Sequence, residues 1–211
     1  SPAAPTNPGV TWESDDTSVA PVDADGVVTA LAVGTALITV TTDDGGKTDS
    51  CTVTVTDPDV YIAGRVNDGS NDVYGYWLNG SWNAAGAEIL PYCIEVAGGT
   101  VYLGGADAGG SLEVPAYWAD GTMHTLSMLG TVNGGWVADI EVVDGTVYCV
   151  GTTSNDAGRV AVGVWIDGVR HDMTDAVTEE SGADSIIIHE GCIYVLGFIQ
   201  SMVGDPNVYG Y

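Results

Sequence analysis

Few residues in this chain have side chains suited to catalysis, and their spacing limits what they can do. The histidines are His124, His171 and His189. His124 and His171 each stand six residues after a tryptophan, Trp118 and Trp165, and Asn83 fills the same place after Trp77. Positions related in this way fall on separate strands, so these side chains are read as polar groups along one rim or as solvated strand residues, not as a converging pair. His189 ends the apolar run SIIIH and reads as a structural histidine. No serine lies in a G-x-S-x-G elbow, which leaves no activated nucleophile of that type. Glu179 and Glu180 are adjacent in a polar connection. Glycosidic chemistry needs two carboxyl groups facing each other across a cleft, and neighbours in a loop more often point apart.

Binding chemistry is better represented. The segments 65–73, 106–114, 152–160 and 202–208 are acidic and rich in amides. Asp68, Asn71, Asp72, Asp107, Asn155, Asp156, Asp205 and Asn207 offer hard oxygen atoms suited to calcium. Their spacing changes from one segment to the next and never follows an EF-hand. The competing reading is a set of solvated turns, since Asp and Asn bond to their own backbone and tolerate left-handed conformations. No other cofactor is expected. Trp82 follows the turn in NGSW and Trp136 begins a strand in NGGW. Both fall outside the regular tryptophan spacing described below. An exposed tryptophan at a rim is a stacking platform for a sugar ring, and the alternative is packing between sheets. The candidate ligand set is therefore Trp82, Trp136, His124 and His171.

The elements that must position these residues repeat. VYIAG at 60–64 returns as VYLGG, VYCVG and IYVLG, which places Tyr61, Tyr102, Tyr148 and Tyr194 at intervals of 41, 46 and 46 residues. A second phrase, YGYWLNG, PAYWADG or VGVWIDG, sets Trp77, Trp118 and Trp165 41 and 47 apart. Each unit reads as four antiparallel strands, a to d: a precedes a two-residue turn, b carries the tyrosine, c carries the tryptophan, and d follows an Asn-Gly or Asp-Gly turn. Four strands in about 46 residues is the pattern of a β-propeller blade. One such sheet cannot bury both faces alone, so neighbouring sheets must stack. The array runs b-c-d, a-b-c-d, a-b-c-d, a-b-c, and the final VYGY at 208–211 repeats the VYGY at 73–76. Three and a half blades fall below the roughly four of the smallest closed rings. The expectation is that the natural protein continues past Tyr211, or that copies complete one another. The repeats resemble bacterial propeller-like repeats of the form VYxxG…YWxxG, found in secreted and surface proteins. They lack the WD dipeptide and the double glycine of kelch blades.

The first 56 residues differ. ALITVTT and CTVTVT alternate apolar and polar residues in the manner of strands, and DADG and DDGG between runs signal hairpins. Trp12, Val19, Val28, Ile38, Val40, Val53 and Val55 are the expected core. The stretch 10–56 resembles the bacterial immunoglobulin-like domain, group 2, through Trp12-Glu13-Ser14, Ser18-Val19-Ala20, DGVVTALAVGTALITV and the closing CTVTVT. The resemblance implies a small β-sandwich used as a spacer or adhesive module on bacterial or phage surface proteins, with no catalytic residues. The expected fold is therefore all-β: an immunoglobulin-like sandwich over 1–56, followed by propeller-type blades over 57–211.

Charge narrows the partners. Twenty-nine acidic residues oppose four basic ones, a net charge of −25. Phosphate backbones and anionic lipid surfaces repel such a chain, which excludes nucleic-acid binding. The most apolar run, 184–199, is interrupted by Glu190-Gly191 and is too short to span a bilayer. Cys51, Cys93, Cys149 and Cys192 match no zinc or CxxC spacing. One disulfide is open to them, with no pairing readable. The opening SPAAPTNPG reads as a linker remnant. Together these features point to an extracellular or cell-surface binding module for a glycan or protein, without catalysis. The alternatives are a filament or appendage subunit completed by strand exchange between copies, and a glycan-active enzyme with its site on the propeller face.

Overall fold

Two-residue turns set the architecture. The structure is a computed structural model and describes residues 9–174 and 179–201, which form strands and loops without a helix. The chain divides into two compact units, Ser1–Asp59 and Val60–Tyr211.

The first unit is built on one antiparallel sheet, ordered β1(Val10–Ser14), β2(Gly34–Thr42), β3(Thr48–Val55). Val19, Ala20, Ala36 and Ile38 form its buried core, with Trp12, Val22, Val28, Val53 and Val55 packed against them. Val40 is half-buried and lies outside that cluster. Among the described residues the layer covering that sheet is less regular than the second sheet of the expected sandwich. It is an irregular segment holding a single bridge, Val22 to Val28. Aspartates organise it in place of ladder bonds: Asp16 accepts from the Ser18 and Val19 amides at 3.0 and 3.3 Å, and Asp23 accepts from the Asp25 and Val27 amides at 2.9 Å. Gly26, at φ +83°, closes this turn directly beneath the Trp12 indole; a Cβ there would stand 2.7 Å from Cε2.

The second unit carries the repeat. Its first sheet contains β4(Tyr61–Asn67), β5(Asp72–Leu78) and β6(Ser81–Ala84). The second contains β7(Ile89–Ala97), β8(Thr100–Asp107), β9(Val114–Ala119) and β10(Thr122–Thr125). The third contains β11(Gly135–Val143), β12(Thr146–Ser154), β13(Val160–Ile166) and β14(Val169–Asp172). The fourth pairs β15(Glu179–His189) with β16(Cys192–Ser201). Strand order thus follows chain order, as expected from the repeat. The turns explain it. Asn79-Gly80, Asp120-Gly121, Asp144-Gly145, Asp167-Gly168 and Glu190-Gly191 all have positive φ at both positions, near 50° and then near 80°. That is the tight hairpin whose twist matches its strands. The expected strand c at 208–211, with Asp205 and Asn207, lies outside the described residues.

The cores lie between sheets. Leu103, Ala116 and Trp118 of the second sheet pack on Tyr61, Ala63, Tyr74 and Tyr76 of the first. Val137, Ile140, Cys149 and Trp165 of the third pack on Cys93, Tyr102 and Tyr117 of the second. Ala183 and Ile186 of the fourth pack on Val150, Val162 and Val164 of the third. Trp165 is fully buried, and its Nε1 donates to the Ser127 carbonyl at 3.1 Å, just past β10 of the preceding sheet. The described residues show sheets stacked in succession and no closed ring.

Candidate functional site

One irregularity recurs in every described strand a. The pairing of β7 with β8 slips between Pro91 and Cys93, that of β11 with β12 between Val137 and Asp139, and that of β15 with β16 between Ala183 and Ser185. Each slip is a β-bulge that leaves one residue unopposed: Tyr92, Ala138 or Asp184. The three are 46 residues apart. Opposite the bulges stand Gly105, Gly151 and Gly197, the last residues of the VYxxG phrases. A Cβ on any of them would collide with a backbone carbonyl of the bulged strand, from Leu90, Trp136 or Gly182. At these three positions the glycine admits the bulge; at Gly64, which has no strand a beside it, a Cβ would meet Trp77 instead. Bulges re-aim side chains and are common beside functional sites.

Here they open a cleft of about 510 Å³, lined by all three bulge residues. Trp136, Phe198 and Tyr92 supply aromatic walls and are 42%, 54% and 50% exposed. Glu180 and Asp184 add two exposed carboxylates. Thr152 also lines the cleft; it is 3% exposed, and its hydroxyl is buried with no hydrogen-bond partner. An unsatisfied buried hydroxyl is costly. Burial, followed by the Glu113 carboxylate and Tyr74, raises the Tyr92 phenol above its ordinary value, so it stays a donor at neutral pH.

Carboxylates also tie two of the strands a, β11 and β15, to each other. Asp139 accepts from the Ser185 hydroxyl at 2.8 Å and the Ile186 amide at 2.9 Å, and Glu141 accepts from the Ile188 amide at 2.6 Å. Glu95 on β7 has its carboxyl raised by burial, then by Glu141 and Asp139. Cys93, between the second and third sheets, is pushed up to about 12 by burial, and burial raises Cys149 as well. Cys51, Cys93, Cys149 and Cys192 are all free thiols.

Of the residues singled out in the sequence, Trp136 and Glu180 reach the cleft. Trp82 does not: it is half-buried against Trp77, ring centroids 4.5 Å apart. His124 on β10 stacks on Tyr117 at 4.5 Å, and His171 lies on β14, the edge strand of a different sheet. The side chain of Glu179 lies outside the described residues. The loop carboxylates bond to their surroundings. Asp68 accepts from the Ser70 and Asn71 amides, Asp107 from Gly109, and Asn155 from Ala157 and Arg159. Asp156 accepts from the Thr131 amide, while Asp72 pairs with Arg65 and Asn67. Among the described residues no three His, Cys, Asp or Glu side chains gather into a group able to hold a metal. Tyr92, Thr152, Asp184 and Phe198 were not singled out from sequence; the 46-residue register that unites Tyr92 with Asp184 was the available signal.

Comparison with known proteins reaches the first unit. Residues 1–53 match the bacterial Ig-like domain (group 2) family. An uncharacterized protein of Clostridium acetobutylicum is 55% identical over 51 residues, 24% of this chain and 5% of that protein. An α-L-arabinofuranosidase of Bifidobacterium longum is 56% identical over 46 residues, 22% of this chain and 4% of that enzyme. The matches thus span about a twentieth of those relatives. No solved structure matches the chain. Among the described residues no helix is long and apolar enough to cross a membrane.

Proposed function

We propose that this chain is a non-catalytic binding module of a bacterial surface or secreted protein, with the Ig-like unit as spacer and the repeat unit as the binding part. On this reading the four sheets are propeller-type blades, and the cleft over their bulged strands takes a neutral carbohydrate. The observation that carries the reading is the meeting of three exposed aromatics, Trp136, Tyr92 and Phe198, with the carboxylates of Glu180 and Asp184 in one cleft. Aromatic faces cover the apolar side of a sugar ring, and convergent polar groups fix its orientation. The volume suits one or two sugar rings. Glu180 and Asp184, within a chain of net charge −25, repel uronic and sialic acids and favour neutral sugars. A glycan array followed by calorimetry tests this. A neutral glycan should bind, and Trp136→Ala should weaken it at least roughly tenfold. Absence of any neutral ligand, or unchanged affinity in Trp136→Ala, overturns the reading.

Glycan hydrolysis is the second reading, because Glu180 and Asp184 line the same cleft and paired carboxyl groups perform that chemistry. Turnover of a bound glycan that is lost in both Glu180→Gln and Asp184→Asn, with binding retained, would favour it over simple binding.

A further inference from the structure

Among the described residues the fourth sheet presents an apolar face with nothing packed over it. Ile187 and Tyr194 are paired across β15 and β16 and so share that face, as does Leu196 two residues on. They are 58%, 55% and 67% exposed. One repeat earlier the corresponding face of the third sheet carries Tyr148 and Val150. Val150 is fully buried, covered by Ala183 and Ile186 of the fourth sheet. The other end of the stack shows the complementary half. Ile62 of β4 occupies the repeat position of Leu103 and shares a face with its partner Trp77, which occupies that of Trp118. Leu103 is fully buried and Trp118 8% exposed against the first sheet, whereas Ile62 is 56% exposed. One chain therefore displays, on two different sheets, both halves of the interface that it makes three times internally.

We infer that these two faces dock on each other between copies of this chain, the fourth sheet of one receiving the first sheet of the next. The internal interfaces are the precedent for the fit: Leu103 beside Trp118, and Cys149 beside Trp165, each meet tyrosines of the preceding sheet, and Tyr148 with Val150 receives Val195 and Ile186 of the fourth. A contact between two unlike patches is head-to-tail, and it propagates into a ring or an open filament. Charge opposes it. Copies of net charge −25 repel one another, and the repulsion shortens to about 3 Å in range at about 1 M salt. Docking is thus salt-promoted, the reverse of an ion-pair interface.

Sedimentation velocity on the 211-residue chain, at low salt and at about 1 M salt, tests the inference. At high salt the mass should rise with concentration above the 21.6 kDa of one chain. Ile62→Asp and Leu196→Asp should each remain monomeric alone. An equimolar mixture of the two should form a dimer and nothing larger, because one intact face survives on each partner and the pair is capped at both ends. Far-UV circular dichroism and melting must match the parent chain, and Ile187→Asp replaces Leu196→Asp if the latter does not. A parent chain that stays monomeric at every salt concentration overturns the inference. So do single variants that assemble like the parent, or a mixture that fails to pair.

Discussion

The two units solve the same problem, hiding apolar strand faces, in opposite ways. The first unit has one buried cluster, and every member of it belongs to that unit. Its sheet is covered on one side by its own irregular segment. Among the described residues the second unit has three buried clusters, and each draws its residues from two successive sheets. No repeat sheet has a core of its own. Some glycines sharpen this. Gly26 and Gly34 in the first unit lie beneath side chains, Trp12 and Val19, as Gly64 and Gly104 do in the second, but Gly105, Gly151 and Gly197 of the second lie against backbone carbonyls. A side chain can turn aside and a carbonyl in a ladder cannot, so the repeat unit is the less tolerant of change at these points. Its stability should behave as a sum of neighbour terms along the stack.

Trp165→Ala tests this most severely. It empties a fully buried site between the second and third sheets and strands the Ser127 carbonyl, so a loss of about 4 kcal/mol is expected in the second unit. Calorimetry should show that transition fall while the first unit's holds. Ile38→Ala is the reciprocal case: about 3 kcal/mol, confined to the first unit whose core Ile38 anchors. If either substitution moves both transitions equally, the contrast between units fails. Gly151→Ala should cost about 2 kcal/mol, and hydrogen exchange should concentrate on β11 and β12, where the new methyl meets the Trp136 carbonyl. The smallest effect concerns pH. The Glu95 carboxyl is raised by burial and by the acidic neighbours Glu141 and Asp139. Its ionised form therefore weakens the folded state above the raised value, and the penalty disappears as pH falls below the ordinary 4.5. Glu95→Gln should raise the melting midpoint slightly near neutrality and leave it unchanged below about pH 4. A gain that persists in acid would remove charge as the cause.

Much of the repeat unit was legible because its signals are local. Asn79-Gly80, Gly98-Gly99, Asp120-Gly121, Asp144-Gly145 and Asp167-Gly168 turn tight hairpins, and strict alternation then assigns each strand's two faces. The tyrosine and tryptophan spacing gave the sheet order directly. The cleft was less legible, since a bulge is a mismatch between two strands and neither strand spells it alone. Tyr92 and Asp184 look like ordinary alternating positions until the slip turns them out, and Thr152 is notable only through its burial without a partner. In the first unit the second sheet of a sandwich was expected, but the segment 15–33 spends its aspartates on turns and keeps one bridge. Trp82 was legible as an outlier with two readings, platform or packing, and choosing between them needs the register of β5 with β6 that stacks it on Trp77.

The forward reach of Asp139 and Glu141 has a consequence for how such a molecule changes length over generations. Each of these two fastenings joins a residue of β11 to one 47 positions later on β15, so half of this clasp lies inside the stretch that defines one module. Copying that stretch in tandem would bring along the acceptor, the bulge and the glycine that admits it. A lineage could add modules one at a time without designing a new joint.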